Sequence, residues 1–265
     1  MSEYHHYFAA AHFAGGAAQP APAKQVSRCC VVIPTYNERG TIGILLRRLF
    51  DDIAPTIPFE LWAVIVDGHS RDGTGDIIRE CQAMHNRIVV LTVPRAGLGD
   101  AYLKGFQYAL REVSPEIIVQ MDGDLQHDPD ALPRLIAACP PGLGVAIGSR
   151  FAAGSLTPGL PVHRRLISKV ASWWIHHSLA VPHLTDYTSG YRCIRAGALG
   201  NLQHSTAESR GYAFQTRLIV GMLRSGCPVA EVPITFGKRL SGSSKLTAAD
   251  LLGFVLTIGK LRRNK

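Results

Sequence analysis

No run of about 18 apolar residues occurs in the chain, so no stretch of it reads as a bilayer-spanning helix. The N-terminal stretch has no basic segment followed by an apolar one, which argues against a secretory signal. None of the six cysteines (Cys29, Cys30, Cys81, Cys139, Cys193, Cys227) stands in a Cys-x-x-Cys pair, so zinc-ribbon and thiol-redox readings fall away. Most lie in apolar runs and read as buried thiols of a reducing compartment. Acidic residues are in deficit, 20 against 28 Lys and Arg, which leaves a formal charge of +8. That excess suits a partner carrying phosphates, or an anionic membrane surface, without setting the fold. A Walker or Rossmann glycine fingerprint is also missing. Arg95-Ala96-Gly97-Leu98-Gly99-Asp100 offers backbone N–H groups ahead of a helix, where a phosphate could sit, but at another spacing. Residues 1–28, rich in Ala, Gly, His and Pro, show no periodicity and read as a flexible tail. Its His5, His6 and His12 can bind metal only adventitiously.

With 46% hydrophobic and 18% charged residues, the chain can bury a full core. From Cys29 onward apolar strands alternate with helices. Strands are expected at Cys29–Ile33, Leu61–Val66, Ile88–Val93, Ile117–Met121 and Val145–Gly148. Helices are expected at Thr41–Phe50, Gly75–Met84, Asp100–Arg111 and Pro129–Ala138. Continuous apolar strands between helices imply an α/β fold with a mostly parallel sheet covered on both faces. Ligands bind such sheets beyond the carboxyl ends of the strands. The polar clusters fall there: Pro34-Thr35-Tyr36-Asn37-Glu38, Asp67 through Thr74, and Asp122-Gly123-Asp124.

The most informative stretch is Val119 to Pro129. An apolar run ends in Asp122-Gly123-Asp124, and Asp128-Pro129 reads as a helix N-cap followed by a first-turn proline. Asp122, Asp124 and Gln126 place three oxygen-bearing side chains within five residues. A hard cation such as Mg²⁺ takes one or two carboxylates together with substrate phosphates. A solvated turn that merely caps a helix is the plainer alternative. Tyr36 can stack on a nucleobase, and Glu38 can accept hydrogen bonds from a base or ribose. Asp67 suits base or ribose recognition, or equally an Asx-turn at the strand end. His127, beside the acidic pair, reads as a residue leading into a helix rather than a catalytic group.

These motifs occur in the same order in family 2 inverting glycosyltransferases, which the chain resembles over residues 29–246. Within that family it is most similar to the polyprenol-phosphate (dolichol-phosphate) mannose synthases. Later motifs extend the likeness: Gly148-Ser149-Arg150, Arg164-Arg165-Leu166-Ile167-Ser168, and Asp186-Tyr187-Thr188-Ser189-Gly190-Tyr191-Arg192. Gly211-Tyr212-Ala213-Phe214-Gln215 and Arg239-Leu240-Ser241-Gly242-Ser243-Ser244-Lys245 follow.

The resemblance implies the Rossmann-like nucleotide-diphosphosugar transferase fold of the GT-A type. It implies Mg²⁺ or Mn²⁺ on Asp122, Asp124 and Gln126, and GDP-mannose as donor, with Pro34, Tyr36, Glu38 and Asp67 at the nucleoside. It implies a polyprenyl monophosphate acceptor held by Arg150, Arg164 and Ser168, and donor phosphates reached by Arg239 and Lys245. A bound metal would stabilise the leaving diphosphate, and the anionic acceptor would need positioning rather than a general base. No nucleic-acid partner is implied.

Two departures stand out. Relatives usually carry two adjacent aspartates after the second strand, where this chain has Asp67-Gly68. They also tend to carry a glutamate where Arg217 stands. Both leave room for a UDP-sugar donor, with a polyprenyl phosphate or a small soluble acceptor, or for a binding module without turnover. The last segment, Leu246 to Arg263, reads as one helix with a basic end, either packed on the core or lying on an anionic interface. Trp173 and Trp174 are further candidates for contact with lipid, at least one of them being core. The expected location is cytoplasmic, peripheral on the cytoplasmic face of a membrane.

Overall fold

The computed structural model describes residues 27–95, 97–200, 212–240 and 248–263. Strands β1 (Arg28–Thr35), β2 (Glu60–Asp67), β3 (Ile88–Thr92), β4 (Ile117–Gln120) and β5 (Val145–Ser149) fall on the five apolar runs. Two short strands, β6 (Arg192–Arg195) and β7 (Val229–Pro233), were not expected. Arginines at both ends of β6, and Glu231 and Pro233 in β7, break the apolar pattern that marks the others. The seven strands form one sheet in the order β3-β2-β1-β4-β6-β5-β7. All neighbours are parallel except β6, which runs against both β4 and β5.

Consecutive β1 residues face opposite sides, as strand pleating requires. Cys29, Val31 and Ile33 join one core cluster, and Cys30 and Val32 the other. The first cluster is closed by α1 (Ile42–Arg47), α2 (Thr74–Met84) and α4 (Leu132–Ala138). The second is closed by α3 (Leu98–Tyr108), α5 (Val162–Leu179), α6 (Ala196–Gly200), α7 (Tyr212–Arg224) and α8 (Ala248–Arg263). Burial on both faces explains why the strands read as unbroken apolar runs. All six cysteines are buried free thiols.

The expected helices differ mainly at their ends. The helix expected to reach Phe50 leaves α geometry after Arg47 and continues as a wider π-type turn through Ile53. That turn keeps Leu49, Phe50 and Ile53 on the buried side. A second such turn follows α3 and ends at Ser114, whose φ of 50° is left-handed. Pro129 opens a short 3-10 turn before α4, with the Asp128 side chain accepting from the Asp130 N–H as the cap.

Helix α8 packs on the domain through Phe254, Ile258 and Leu261. Its carbonyl at Leu261 accepts from Arg224 Nη2 at 2.9 Å. Among the described residues no helix is long and apolar enough to cross a membrane.

Helix α3 lies close on the sheet because Gly105 has no side chain. A Cβ there would stand 2.3 Å from Val32 Cγ1 and 3.0 Å from Val66 Cγ2. Gly105→Ala should therefore force α3 outward and cost about 1–3 kcal/mol, the range for overpacking. Urea unfolding reads this directly; an unchanged midpoint would show that the contact has slack.

Candidate active site

The carboxyl ends of β1, β2, β4 and β5 meet along one edge, joined there by the start of the reversed β6. Beyond β4 the chain makes the acidic turn. It can pass close to β1 because Gly123 lacks a Cβ, which would stand 3.2 Å from Thr35 Cγ2. Leu125 has a φ of 60°, a left-handed conformation that costs a non-glycine residue about 1–3 kcal/mol. His127 holds the turn from beneath. It is buried, its Nδ1 accepts the Asp122 N–H at 3.2 Å, and its ring stacks on Tyr191 with centroids 5.1 Å apart. It is a strut of the turn.

Each carboxylate of the pair has its own partners. Asp122 Oδ1 accepts the Tyr102 hydroxyl at 2.8 Å. Burial and the Asp122 charge push the Tyr102 phenol well above its ordinary pKa, so it stays protonated as the donor. Asp124 Oδ1 accepts the Gln126 N–H at 3.0 Å, and its Oδ2 lies 2.6 Å from Arg239 Nη2. The same Nη2 is 3.3 Å from Gln126 Oε1. Gln126 is oriented by Nε2 donating to the Gly237 carbonyl at 3.2 Å.

Asp124 and Gln126 thus direct oxygens at one shared cation. Among the described residues no three His, Cys, Asp or Glu side chains converge as a metal cage. Two carboxylates and an amide oxygen nevertheless fit a hard divalent ion that completes its shell with phosphate oxygens. By residue type the set suits such an ion; in this structure Asp124 and Gln126 turn their oxygens to the Arg239 guanidinium and Asp122 to the Tyr102 hydroxyl.

At the ends of β1 and β2, Pro34, Tyr36 and Glu38 are half-buried and Asp67 is buried. Asp67 holds its own turn: it accepts from Thr35 Oγ1 at 3.2 Å, the Ser70 N–H at 3.0 Å and Ser70 Oγ at 2.5 Å. Glu38 Oε2 accepts from Thr41 Oγ1 at 3.3 Å, at the start of α1. The Arg95 guanidinium lies over the Tyr36 ring, 4.0 Å from its centroid. Gly68 sits beneath them; an added Cβ would meet Tyr36 Cδ2 and the Thr35 carbonyl at an ordinary 3.5 Å. The backbone here tolerates a Cβ, so glycine at 68 is not required by a clash at that atom.

On the other half of the edge, Arg150 follows β5 and is buried in a bidentate pair with Asp186. Its Nε and Nη2 lie 2.7 and 2.8 Å from the two carboxylate oxygens, and Nη2 also reaches Thr188 Oγ1 at 2.6 Å. Glu231 on β7 anchors that segment by accepting the N–H groups of Thr185, at 2.8 Å, and of Asp186, at 3.0 Å. Phe236 links the two halves, with Arg150 over its ring at 5.6 Å and His127 edge-on at 5.7 Å. Arg164 and Ser168 stand one turn apart on α5, both half-buried. Arg217 is half-buried on α7. Lys245 lies outside the described residues.

Sequence reasoning overlooked the supports: Tyr102, Asp186, Arg192 and Glu231. Asp186 and Arg192 stood inside a recognised motif without a role, and Tyr102 lies two residues past the Arg95–Asp100 loop. Glu231 carried no signal, because its strand was itself not expected. Arg192 is fully buried, donating to the Gln215 carbonyl at 2.7 Å and the Tyr187 carbonyl at 3.0 Å.

Burial works to raise the pKa of Asp186, but the Arg150 charge and its hydrogen bonds hold the carboxyl below its ordinary value. Its contribution to stability is therefore present above the unfolded carboxyl pKa of about 3.9 and is lost as pH falls through the folded one. Asp186→Ala should cost about 3–5 kcal/mol at neutral pH by stranding a buried guanidinium. The double variant R150A/D186A should lose less than the two single losses added together. Urea unfolding at pH 7 and in acid checks both; strict additivity would show that the pair is not coupled.

The sequence profile of glycosyl transferase family 2 matches residues 30–201. The chain is 36% identical over 239 residues to a polyprenol monophosphomannose synthase of Mycolicibacterium smegmatis, covering 89% of this chain and 88% of that one. It is 37% identical over 221 residues to an undecaprenyl-phosphate mannosyltransferase of Micrococcus luteus, covering 83% and 88% respectively. Among solved structures it is similar to a glucosyl-3-phosphoglycerate synthase of Mycobacterium tuberculosis, in complex with Mn²⁺, UDP and glucosyl-3-phosphoglycerate. The TM-score is 0.58 with 19% identity, covering 89% of this chain and 80% of that one. At that identity the likeness bears on the fold alone, and the fold is the GT-A type expected.

Proposed function

The chain belongs to glycosyl transferase family 2 and is a glycosyltransferase, and from that premise we propose that it moves mannose from GDP-mannose to a polyprenyl monophosphate. The observation behind the donor half is that Asp124 and Gln126 both turn oxygens to the Arg239 guanidinium, on the turn that also carries Asp122, which gathers the expected metal ligands and the expected phosphate-binding arginine in one place. The acceptor and the sugar rest on the relatives, whose names specify polyprenyl-linked mannose.

In this reading Asp122, Asp124 and Gln126 hold Mg²⁺ or Mn²⁺, which supplies a counter-charge to the departing diphosphate. Arg239, with Lys245, binds donor phosphate oxygens, a task suited to a permanently charged planar donor. Tyr36, with Pro34, Glu38 and Asp67, receives the nucleoside. Arg150, Arg164 and Ser168 position the acceptor phosphate against the anomeric carbon, on the face opposite the leaving group, so configuration inverts. That phosphate is already an anion near neutral pH, and no side chain has to remove a proton; alignment carries the rate. The lipid acceptor implies work at the cytoplasmic face of a membrane.

A UDP-sugar donor is the second reading. It is motivated by Gly68, which stands where relatives usually carry a second aspartate and where an added Cβ would meet only ordinary contacts.

A thermal-shift panel of GDP, UDP and dTDP with and without Mn²⁺ separates the two, because a ligand selective for the folded state raises its melting temperature. GDP with Mn²⁺ should give the largest rise, EDTA should remove it, and Asp124→Ala should abolish both the rise and transfer. A larger rise with UDP would move the chain to the second reading. Full transfer in EDTA would remove the metal from the mechanism.

A further inference from the structure

At the nucleoside end of the site the Asp67 carboxylate is committed to its own loop, while a guanidinium beside it is not. Asp67 Oδ1 accepts from Thr35 Oγ1 and Ser70 Oγ, and its Oδ2 from the Ser70 N–H. The next position, Gly68, carries no second carboxylate. Asn37 is tied to the same loop, its N–H donating to Ser70 Oγ at 2.8 Å and its Oδ1 accepting the Arg71 N–H at 3.1 Å. Arg95 stands apart from this network, exposed on the loop that follows β3. Among the described residues its N–H groups meet no acceptor, and its guanidinium rests on the Tyr36 ring, 4.0 Å from the centroid.

A guanidinium offers only donors, set in a rigid planar fork. It matches a base that shows two acceptors side by side. Guanine does so, with O6 and N7 on one edge; adenine sets an amino donor beside its N7, and uracil shows O4 alone there. An exposed cation–π contact is weak. The flexible arginine stem therefore lets the guanidinium pass from the face of Tyr36 to the edge of a base laid on that ring. Gly68 leaves this movement unhindered. A Cβ at 68 would stand 3.5 Å from Tyr36 Cδ2 and 3.8 Å from Arg95 Cβ. An aspartate there would put a carboxylate beside both residues, within reach of the guanidinium.

We propose that Arg95 is the residue that selects guanine, its guanidinium donating to O6 and N7 of a guanine nucleotide stacked on Tyr36. The inference deepens the proposed function and rests on its GDP-linked donor. It gives the nucleoside pocket a base reader at the place where relatives usually carry a second aspartate, and so answers the observation that motivates a UDP-sugar donor. Arg95 sets specificity and takes no part in the chemical step.

Calorimetric titration of the full chain, in Mn²⁺, with GDP, UDP and 7-deaza-GDP tests this, since the last lacks the N7 acceptor. The wild type should bind GDP more tightly than 7-deaza-GDP by about fivefold or more, the worth of one hydrogen bond. R95A and R95K should each lose about tenfold or more in GDP affinity, as expected for a bidentate base contact. Both should leave UDP binding unchanged and bind GDP and 7-deaza-GDP alike. Both should keep the ligand-free melting temperature of the wild type, because the side chain stands in solvent. Lysine keeps the charge but not the fork, so full GDP affinity in R95K would overturn the proposal. Equal losses of GDP and UDP affinity in R95A would also overturn it, by moving Arg95 to the phosphates that both share. A preference for GDP over 7-deaza-GDP that survives R95A would do the same. Mannosyl transfer to a polyprenyl phosphate is read on the same proteins. Guanine selection that depends on Arg95, without transfer, would overturn the proposed function and leave the guanine reader standing. GDP binding and transfer that R95A leaves unaltered would overturn the role of Arg95 alone.

Discussion

Asp122 and Asp124 put two negative charges on one tight turn, and much of the surrounding structure answers that charge. Asp122 is met by the Tyr102 hydroxyl, Asp124 by a backbone N–H and the Arg239 guanidinium. Each answer depends on an element elsewhere. Tyr102 arrives because α3 lies close on the sheet at Gly105. Arg239 arrives because the chain after β7 is tied to the turn, with the Gly237 N–H donating to the Gln126 carbonyl at 2.8 Å. Asp122 is met by a neutral donor, which orients it without cancelling its charge, whereas Asp124 is balanced by a guanidinium.

The arginine side follows a different logic. Arg150 and Arg192 are buried, where an unpaired charge is costly. Arg150 is matched by a carboxylate and Arg192 by carbonyl oxygens. Desolvation lowers the Arg192 pKa to about 10, which still leaves it cationic at neutral pH. Buried pairs of this kind add little net stability, but removing one member is expensive, so they hold geometry firmly. The result is two halves of one sheet edge, the acidic turn with Arg239 and the Arg150–Asp186 pair braced by Glu231, with Phe236 between them.

Five strands were legible because both faces of the sheet are buried and their sequence runs are apolar throughout. β6 and β7 were not, since Arg192, Arg195, Glu231 and Pro233 interrupt the pattern. The acidic turn was legible because its residues are adjacent. The Asp186 and Glu231 contacts were not, because they join residues 36 and 45 positions apart. The tryptophans divide as a helix requires: one residue of rotation puts Trp174 on the core and Trp173 in solvent. For the C-terminal helix, apolar content fitted core and interface equally. Phe254, Ile258 and Leu261 turn inward, leaving only part of it outside.

The most direct measurement supplies the full chain with Mn²⁺, labelled GDP-mannose and a polyprenyl phosphate, then follows label into the organic phase and reads the anomeric configuration by NMR. Label in a mannosyl phospholipid of inverted, β configuration is the expected result. Label that stays aqueous with every polyprenyl phosphate, but passes to a small soluble phosphate acceptor from UDP-glucose, would overturn the assignment.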